Sequence, residues 1–115
     1  MPARPAVLFL AGALASATVV GRGGAQEAET YSFKEHYDKR EVRIPMRDGV
    51  ELFTIIYAPR DTSRTYPFLV NRTAYGQPPY GPDAYRRWGG PYVEFSKRGY
   101  IFVYQDVRGR GMSEG

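Results

Sequence analysis

The hydrophobic and polar positions alternate over two neighbouring stretches near the middle of the chain. From Glu41 to Pro45 the side chains of Val42 and Ile44 fall on one face, which is the period of a β-strand. The dipeptide Asp48-Gly49 follows and favours a two-residue hairpin turn, because both positions tolerate positive φ. Strand-forming residues resume from Val50 to Tyr57. The pattern therefore predicts two antiparallel neighbouring strands.

A different pattern in the second half predicts a parallel pair of strands. A third apolar run, Phe68 to Val70, leads into a long loop rich in Pro, Gly and Tyr, and the stretch from Pro91 to Arg98 then favours a short helix. The residues from Ile101 to Tyr104 are β-formers without alternation, which is typical of a strand buried on both faces of a parallel sheet. The connection from Asn71 to Tyr100 is long enough for a crossover. The predicted fold class is α/β, with an incomplete sheet whose antiparallel hairpin edge leads into parallel strands.

The first 25 residues have the layout of a secretory signal peptide. An uncharged run of apolar and small residues extends from Ala6 to Val20, and small residues precede Gln26, so we expect cleavage after Ala25. The run is shorter than the roughly 20 residues of a membrane-spanning helix, which disfavours the alternative of an uncleaved anchor and predicts no stable membrane insertion after cleavage. The expected location is secreted or periplasmic, with residues 26–40 as a polar N-terminal extension and residues 41–115 as the start of the domain.

The composition excludes several classes of partner and site. The 115 residues include 16 Lys and Arg against 12 Asp and Glu, for a formal net charge of +4. Loss of Arg4 and Arg22 with the leader leaves 14 basic residues against 12 acidic ones, without the basic face that nucleic-acid binding needs. The absence of cysteine excludes disulfides and cysteine nucleophiles within the chain. One histidine and scattered carboxylates lack metal-ligand spacing, and we expect no metal and no cofactor.

Three motifs in order give the sequence a specific likeness to a known family. It resembles the CocE/NonD hydrolases, the group of cocaine esterase, X-Pro dipeptidyl-peptidase-like enzymes and glutaryl-cephalosporin acylases. The likeness covers residues 38 to 115, and its matching stretches are Val42 to Val50, Arg72 to Tyr75 and Arg98 to Gly115.

The resemblance implies an α/β-hydrolase fold and a serine-type hydrolase of ester or amide bonds. Its partner would be a small-molecule ester, amide or peptide substrate, with the oligomeric state left open. By motif position, Tyr75 matches the tyrosine whose hydroxyl helps to form the oxyanion hole in this family. The family usually has proline before that tyrosine, and here it is Ala74, which leaves the loop freer. The resemblance places the nucleophile, the acid and the histidine of the triad beyond residue 115, so we expect none of them within this chain.

Two signals for the triad within the chain are misleading. Gly111 to Gly115 fits the G-x-S-x-G pattern of a nucleophile elbow around Ser113, but the stretch Arg108-Gly109-Arg110 stands between it and the preceding strand. We interpret Ser113 as a turn serine. His36 precedes the first strand, whereas the histidine of an α/β-hydrolase triad follows the serine and the acid. We expect His36 to be an exposed surface residue.

The roles of Asp106 and of the aromatic residues in the long loop are left open by the sequence. Asp106 is either a site carboxylate or, as we prefer, part of a turn fixed by a local pair with Arg108 and by Gly109. A group of aromatic residues surrounds the Gly- and Pro-rich loop, and it either rims a substrate pocket or anchors the loop. Its members are Tyr75, Tyr80, Tyr85, Trp88 and Tyr92.

The sequence leaves two alternatives to an esterase or acylase. One is an Xaa-Pro dipeptidyl-peptidase-type aminopeptidase with the same fold and a different acyl specificity. The other is a secreted non-enzymatic binding module whose aromatic loop carries the ligand.

Overall fold

The computed structural model describes residues 30–115, which form four strands and two short helices. In chain order they are α1 (Phe33–His36), β1 (Tyr37–Pro45), β2 (Glu51–Pro59), β3 (Phe68–Thr73), α2 (Val93–Arg98) and β4 (Ile101–Asp106). The predicted signal peptide and its cleavage after Ala25 lie outside the described residues. Between residues 30 and 115 the structure contains no helix of the length and apolar character needed to span a bilayer.

The strands form one mixed sheet in the order β1-β2-β4-β3. The antiparallel pairing of β1 with β2 is confirmed, with Val42 opposite Thr54. The connection is longer than the predicted two-residue turn: five residues join the strands, and Met46 N donates to Val50 O at 2.8 Å. Only Gly49 takes a positive φ there, +84°, so the mirror-image turn in which both central residues need positive φ is not formed.

The predicted parallel pair is also confirmed, since β3 and β4 run parallel and α2 lies in the crossover between them. Strand β4 is central because it also pairs antiparallel with β2. The sequence predicts that this strand is buried on both faces, and the structure buries one face fully. Phe102 and Tyr104 are buried, whereas Ile101 and Val103 on the other face remain partly exposed. The structure thus has the α/β architecture and the mixed sheet that the sequence predicts.

The core is mostly aromatic and begins earlier in the chain than predicted. Its buried residues are Phe33, Tyr37, Phe53, Ile55, Tyr57, Phe102 and Tyr104. The strand boundary predicted at Glu41 is wrong, because β1 begins at Tyr37. Rings at positions 33 and 37 pack 4.4 Å apart between centroids, and burying them draws this polar stretch onto the sheet.

Candidate active site

The parallel strands β3 and β4 end side by side, and the loops that leave them form one edge of the molecule. Thr73 pairs with Asp106 in the register, and Val107 N donates to Thr73 O at 3.1 Å. The loop 74–92 therefore starts beside the segment 107–115. Ligands of open α/β sheets bind at the carboxyl ends of such strands, so this edge is the candidate site.

Tyr75 lies at this edge, two residues after β3, as the sequence predicts. The residue is 96% exposed. Its backbone N–H donates to Thr73 Oγ1 at 3.2 Å, while its hydroxyl has no hydrogen-bond partner among residues 30–115. A phenol in this position is available to a ligand at the carboxyl edge. Ala74 beside it is exposed as well.

Gln77 fixes the backbone just beyond Tyr75. Its N–H donates to the Tyr80 hydroxyl at 2.9 Å, its Nε2 donates to Asn71 Oδ1 at 2.8 Å, and its Oε1 accepts from Arg86 at 2.8 Å. The residue is 4% exposed. Sequence reasoning missed Gln77, since a single glutamine in an irregular loop carries no periodic or motif signal.

Asp106 is fully buried at the end of β4 and ties the two loops together. Its Oδ2 accepts from the Tyr80 hydroxyl at 2.9 Å and from Met112 N at 2.9 Å, and Oδ1 has no partner in the described part of the chain. Burial, and then the hydrogen bond to this carboxylate, raise the pKa of Tyr80, although the Gln77 N–H opposes the shift. Gly111 has φ +55°, and a Cβ there would collide with the Asp106 carboxylate. Glycine is therefore required at that point of the turn.

The predicted pairing of Asp106 with Arg108 is wrong. The Arg108 guanidinium instead contacts Asp48 of the β1–β2 connection, with an N–O distance of 2.6 Å. Arg108 comes after the end of β4, and its half-exposed side chain meets the carboxylate of Asp48 in the β1–β2 connection. The side chain of Asp106, in contrast, is buried in the protein. Instead of being a turn residue, Asp106 is the last residue of β4, and its partners are a tyrosine and a backbone amide.

Comparison with known proteins assigns the chain to a family. A model of the X-Pro dipeptidyl-peptidase (S15) family matches residues 48–115, which include both Tyr75 and Asp106. The chain belongs to the X-Pro dipeptidyl-peptidase (S15) family.

The relatives of this S15 chain are hydrolases. The cocaine esterase of Rhodococcus sp. (strain MB1 Bresler) is 38% identical over 74 residues, which cover 64% of this chain and 12% of that protein. Among solved structures, an α-amino acid ester hydrolase has a TM-score of 0.52 and 32% identity, over 90% of this chain and 17% of its own. An aminopeptidase from a marine sediment Thaumarchaeota archaeon also has a TM-score of 0.52, with 31% identity over 88% of this chain and 16% of its own. The S15 chain thus spans less than a fifth of the length of each of these relatives.

The Ser113 hydroxyl of the S15 chain makes two hydrogen bonds to backbone atoms. It donates to Asp106 O at 2.7 Å and accepts from Phe53 N at 2.8 Å. The first bond attaches the segment after β4 to the end of β4 itself, and the second attaches it to β2. The G-x-S-x-G pattern here therefore describes a turn docked on the sheet.

His36 lies at the opposite edge of the sheet from Tyr75. It directly precedes β1, whose first residue, Tyr37, pairs with Pro59 at the end of β2, and β2 is antiparallel to β4. The residue is exposed, as predicted, and its Nδ1 is 2.8 Å from Ser32 O. The same edge carries a cavity of about 330 Å³ that includes Tyr66 and Gly99 among its lining residues. Neither His36 nor this cavity is part of the candidate site.

The aromatic group around the loop divides into anchors and exposed rings. Tyr80 packs edge-to-face on Phe53, with centroids 5.6 Å apart. The ring of Tyr85 lies against the core, 5.7 Å from that of Tyr57, and its hydroxyl accepts from Lys39 N at 3.0 Å. In contrast, Tyr92 is 65% exposed. Some of these rings thus anchor the loop, whereas Tyr75 and Tyr92 face outward.

Lys39 holds the far side of the same loop. Its side chain is fully buried, and its Nζ donates to the carbonyl oxygens of Pro79, Gly81 and Ala84 at 2.8, 2.7 and 2.7 Å. Glu41 Oε1 lies 3.1 Å from the same nitrogen and accepts from Gly81 N at 2.6 Å. We refer to this arrangement as the Lys39 clip. No pattern along the chain indicated the Lys39 clip, because alternating charges on a strand are usually solvated.

Proposed function

We propose that this chain is part of a serine-type hydrolase that cleaves ester or amide bonds by acyl transfer to water. In this proposal the catalytic serine, acid and histidine lie outside residues 1–115, and the chain supplies part of the oxyanion hole through the Tyr75 hydroxyl. Membership of the S15 family and the hydrolase relatives support the reaction class. The substrate class is a small-molecule ester, amide or peptide.

The position of Tyr75 is the observation that carries the proposed role. The phenol is exposed at the carboxyl edge of β3, while the neighbouring Tyr80 hydroxyl is engaged in two hydrogen bonds. Attack on an acyl carbon transfers negative charge to the carbonyl oxygen, and a preorganised donor aimed at that oxygen lowers the barrier by about 3–4 kcal/mol. A tyrosine hydroxyl is such a donor.

The Tyr75→Phe variant of the complete gene product tests this role. Removal of the hydroxyl alone is expected to lower kcat for p-nitrophenyl esters about 100- to 1,000-fold, with little change in KM, because the bond forms in the transition state. Tyr92→Phe is the matched control, since it removes a second exposed hydroxyl at the other end of the loop, and it should keep its activity. A Tyr75→Phe enzyme with at least half of the kcat of the unmodified protein would refute the proposed role.

A peptidase is the second candidate, favoured by the family description and by the aminopeptidase among the solved structures. The same oxyanion hole would serve an amide substrate, because both reactions pass through a tetrahedral intermediate. A comparison of kcat/KM for p-nitrophenyl esters and X-Pro p-nitroanilides would separate the two candidates.

Export is part of the proposal. The leader in the sequence predicts a mature protein that starts at Gln26, in the periplasm or the medium. N-terminal sequencing of the protein recovered from those fractions tests this, and an intact Met1 there would refute the cleavage site.

A further inference from the structure

We propose that Tyr80 and Asp106 are positioning residues for Tyr75, acting through the backbone amide of Gln77. The inference rests on the proposed role of Tyr75 in an oxyanion hole and extends it to the groups that aim the phenol. Neither side chain is placed in contact with the substrate.

The need for positioning follows from the surroundings of Tyr75 itself. Because Tyr75 is 96% exposed, its ring is not held by packing among the described residues. Its backbone is held on the N-terminal side by the hydrogen bond to Thr73 Oγ1. Within the described residues, the direction of the hydroxyl is therefore set by the backbone on either side of Tyr75, and its C-terminal side needs a fixed point as well.

Gln77 and Tyr80 provide that fixed point. The Tyr80 hydroxyl accepts from Gln77 N and donates to Asp106 Oδ2, both at 2.9 Å. Gly76 between Tyr75 and Gln77 has φ +83°, and the Tyr80 oxygen lies 3.1 Å from where its Cβ would be. The phenol of Tyr80 is thus packed directly against the peptide that follows Tyr75.

Asp106 connects this contact to the rigid part of the fold. It is the last residue of β4, the central strand, and it is fully buried. The same Oδ2 that binds Tyr80 also accepts from Met112 N, and the Asp106 carbonyl oxygen accepts from Ser113. A carboxylate held in this way is a fixed acceptor for Tyr80. The loop is therefore held in a defined position relative to the sheet.

The arrangement offsets the freedom introduced by Ala74. A proline there would fix φ just before Tyr75, whereas alanine leaves that torsion free. The contact through Gln77, Tyr80 and Asp106 restrains the chain two residues after Tyr75 instead. A group placed 1 Å away from its productive position loses about 100-fold in rate, so this restraint is expected to be visible in kcat.

A double-mutant cycle in the complete gene product tests the coupling. Tyr80→Phe keeps the ring that packs on Phe53 and removes only the hydroxyl that joins Gln77 to Asp106. We expect a loss of about tenfold in kcat with KM unchanged. In the Tyr75→Phe background the same change should have almost no further effect, because there is no hydroxyl left to aim.

Three variants control for a general structural effect. Tyr85→Phe removes another partly buried loop hydroxyl, the acceptor for Lys39 N, and should leave kcat unchanged. Asp106→Asn keeps one oxygen that can accept from both Tyr80 and Met112 N, so it should retain much more activity than Asp106→Ala. Equal losses in the two Asp106 variants, or losses for Tyr80→Phe and Tyr75→Phe that multiply in the double variant, would overturn the inference.

A measurement of the position of the Tyr75 ring that does not depend on catalysis separates this inference from the proposed function. With 3-fluorotyrosine at residue 75, the ¹⁹F resonance should shift or broaden in Tyr80→Phe and stay unchanged in Tyr85→Phe. An unchanged resonance in Tyr80→Phe would refute the positioning role. If Tyr75→Phe is fully active while the resonance responds, the oxyanion role fails and the positioning of the ring stands.

Discussion

Replacement of Lys39 by methionine should release one side of the loop that carries Tyr75. Lys39→Met keeps an unbranched apolar side chain in the buried space and removes the ammonium group. Three loop carbonyls then lose their donor at once, those of Pro79, Gly81 and Ala84. The Glu41 carboxylate also loses its cation, while its bond from Gly81 N remains possible.

The size of the effect follows from the charge on the donor and from the exposure of the loop. A hydrogen bond to a charged group contributes about 1.5–3 kcal/mol, and the Lys39 clip has three of these to carbonyls at 2.7–2.8 Å. The loop lies at the surface, so water can replace part of what is lost. We therefore expect the free energy of local opening to fall by about 3 kcal/mol, in the range measured when one partner of a buried pair is removed.

Hydrogen exchange measured by mass spectrometry on the complete gene product reports this local opening directly. The expected change corresponds to about 100-fold faster exchange of the amides at residues 80–85. Lys97→Met is the matched control: it removes the same charge from an exposed position at the end of α2 and should leave these amides protected. Exchange at residues 80–85 that is equal in the two variants would show that the buried ammonium does not hold the loop.

Two further predictions concern the segment after β4. Ser113→Ala should destabilise the protein by about 1–2 kcal/mol, because Phe53 N loses its buried acceptor, and should leave kcat for p-nitrophenyl esters unchanged; a complete loss of activity in a stably folded variant would mean that Ser113 is the nucleophile after all. The hydrogen bond from Arg108, with help from Val50 N, lowers the pKa of Asp48, so the stabilisation by this pair is present above the ordinary aspartate pKa and is lost as the pH falls through the lowered value in the folded protein. The melting temperature should therefore be higher in the unmodified protein than in Asp48→Asn at neutral pH, and the difference should shrink as the pH falls below the ordinary aspartate pKa; a difference that does not change with pH would contradict this.

The strands were predictable because their signals are local. Alternation placed Val42 and Ile44 in β1, and the unbroken run from Ile101 made β4 a strand of a parallel pair. The start of β1 was missed because Lys39 and Arg40 interrupt the pattern, although the rings at positions 33 and 37 are what bury this stretch. Where burial is decided by aromatic packing across the sheet, alternation along the chain is a weak guide.

The partners at the candidate site were predicted less well, because they depend on contacts between distant residues. Asp106 and Arg108 are two apart in the chain, and yet one side chain turns inward to Tyr80 and the other outward to Asp48. Strand residues that are two apart share a face, but β4 ends at Asp106, and the chain turns before Arg108. No local pattern encodes the direction taken after such a turn.

The candidate site therefore lies on a loop that is fixed to the rest of the fold at two points, while the side chain of Tyr75 near its start remains exposed. The Lys39 clip fixes residues 79–84, and the contact between Tyr80 and Asp106 fixes the backbone of Gln77. Tyr75 projects from the short stretch between β3 and that second point, so its phenol is exposed without being on a long free loop. An oxyanion donor has to be both accessible to the substrate and preorganised. The two properties conflict in a glycine-rich loop, and here buried polar contacts rather than a proline reconcile them.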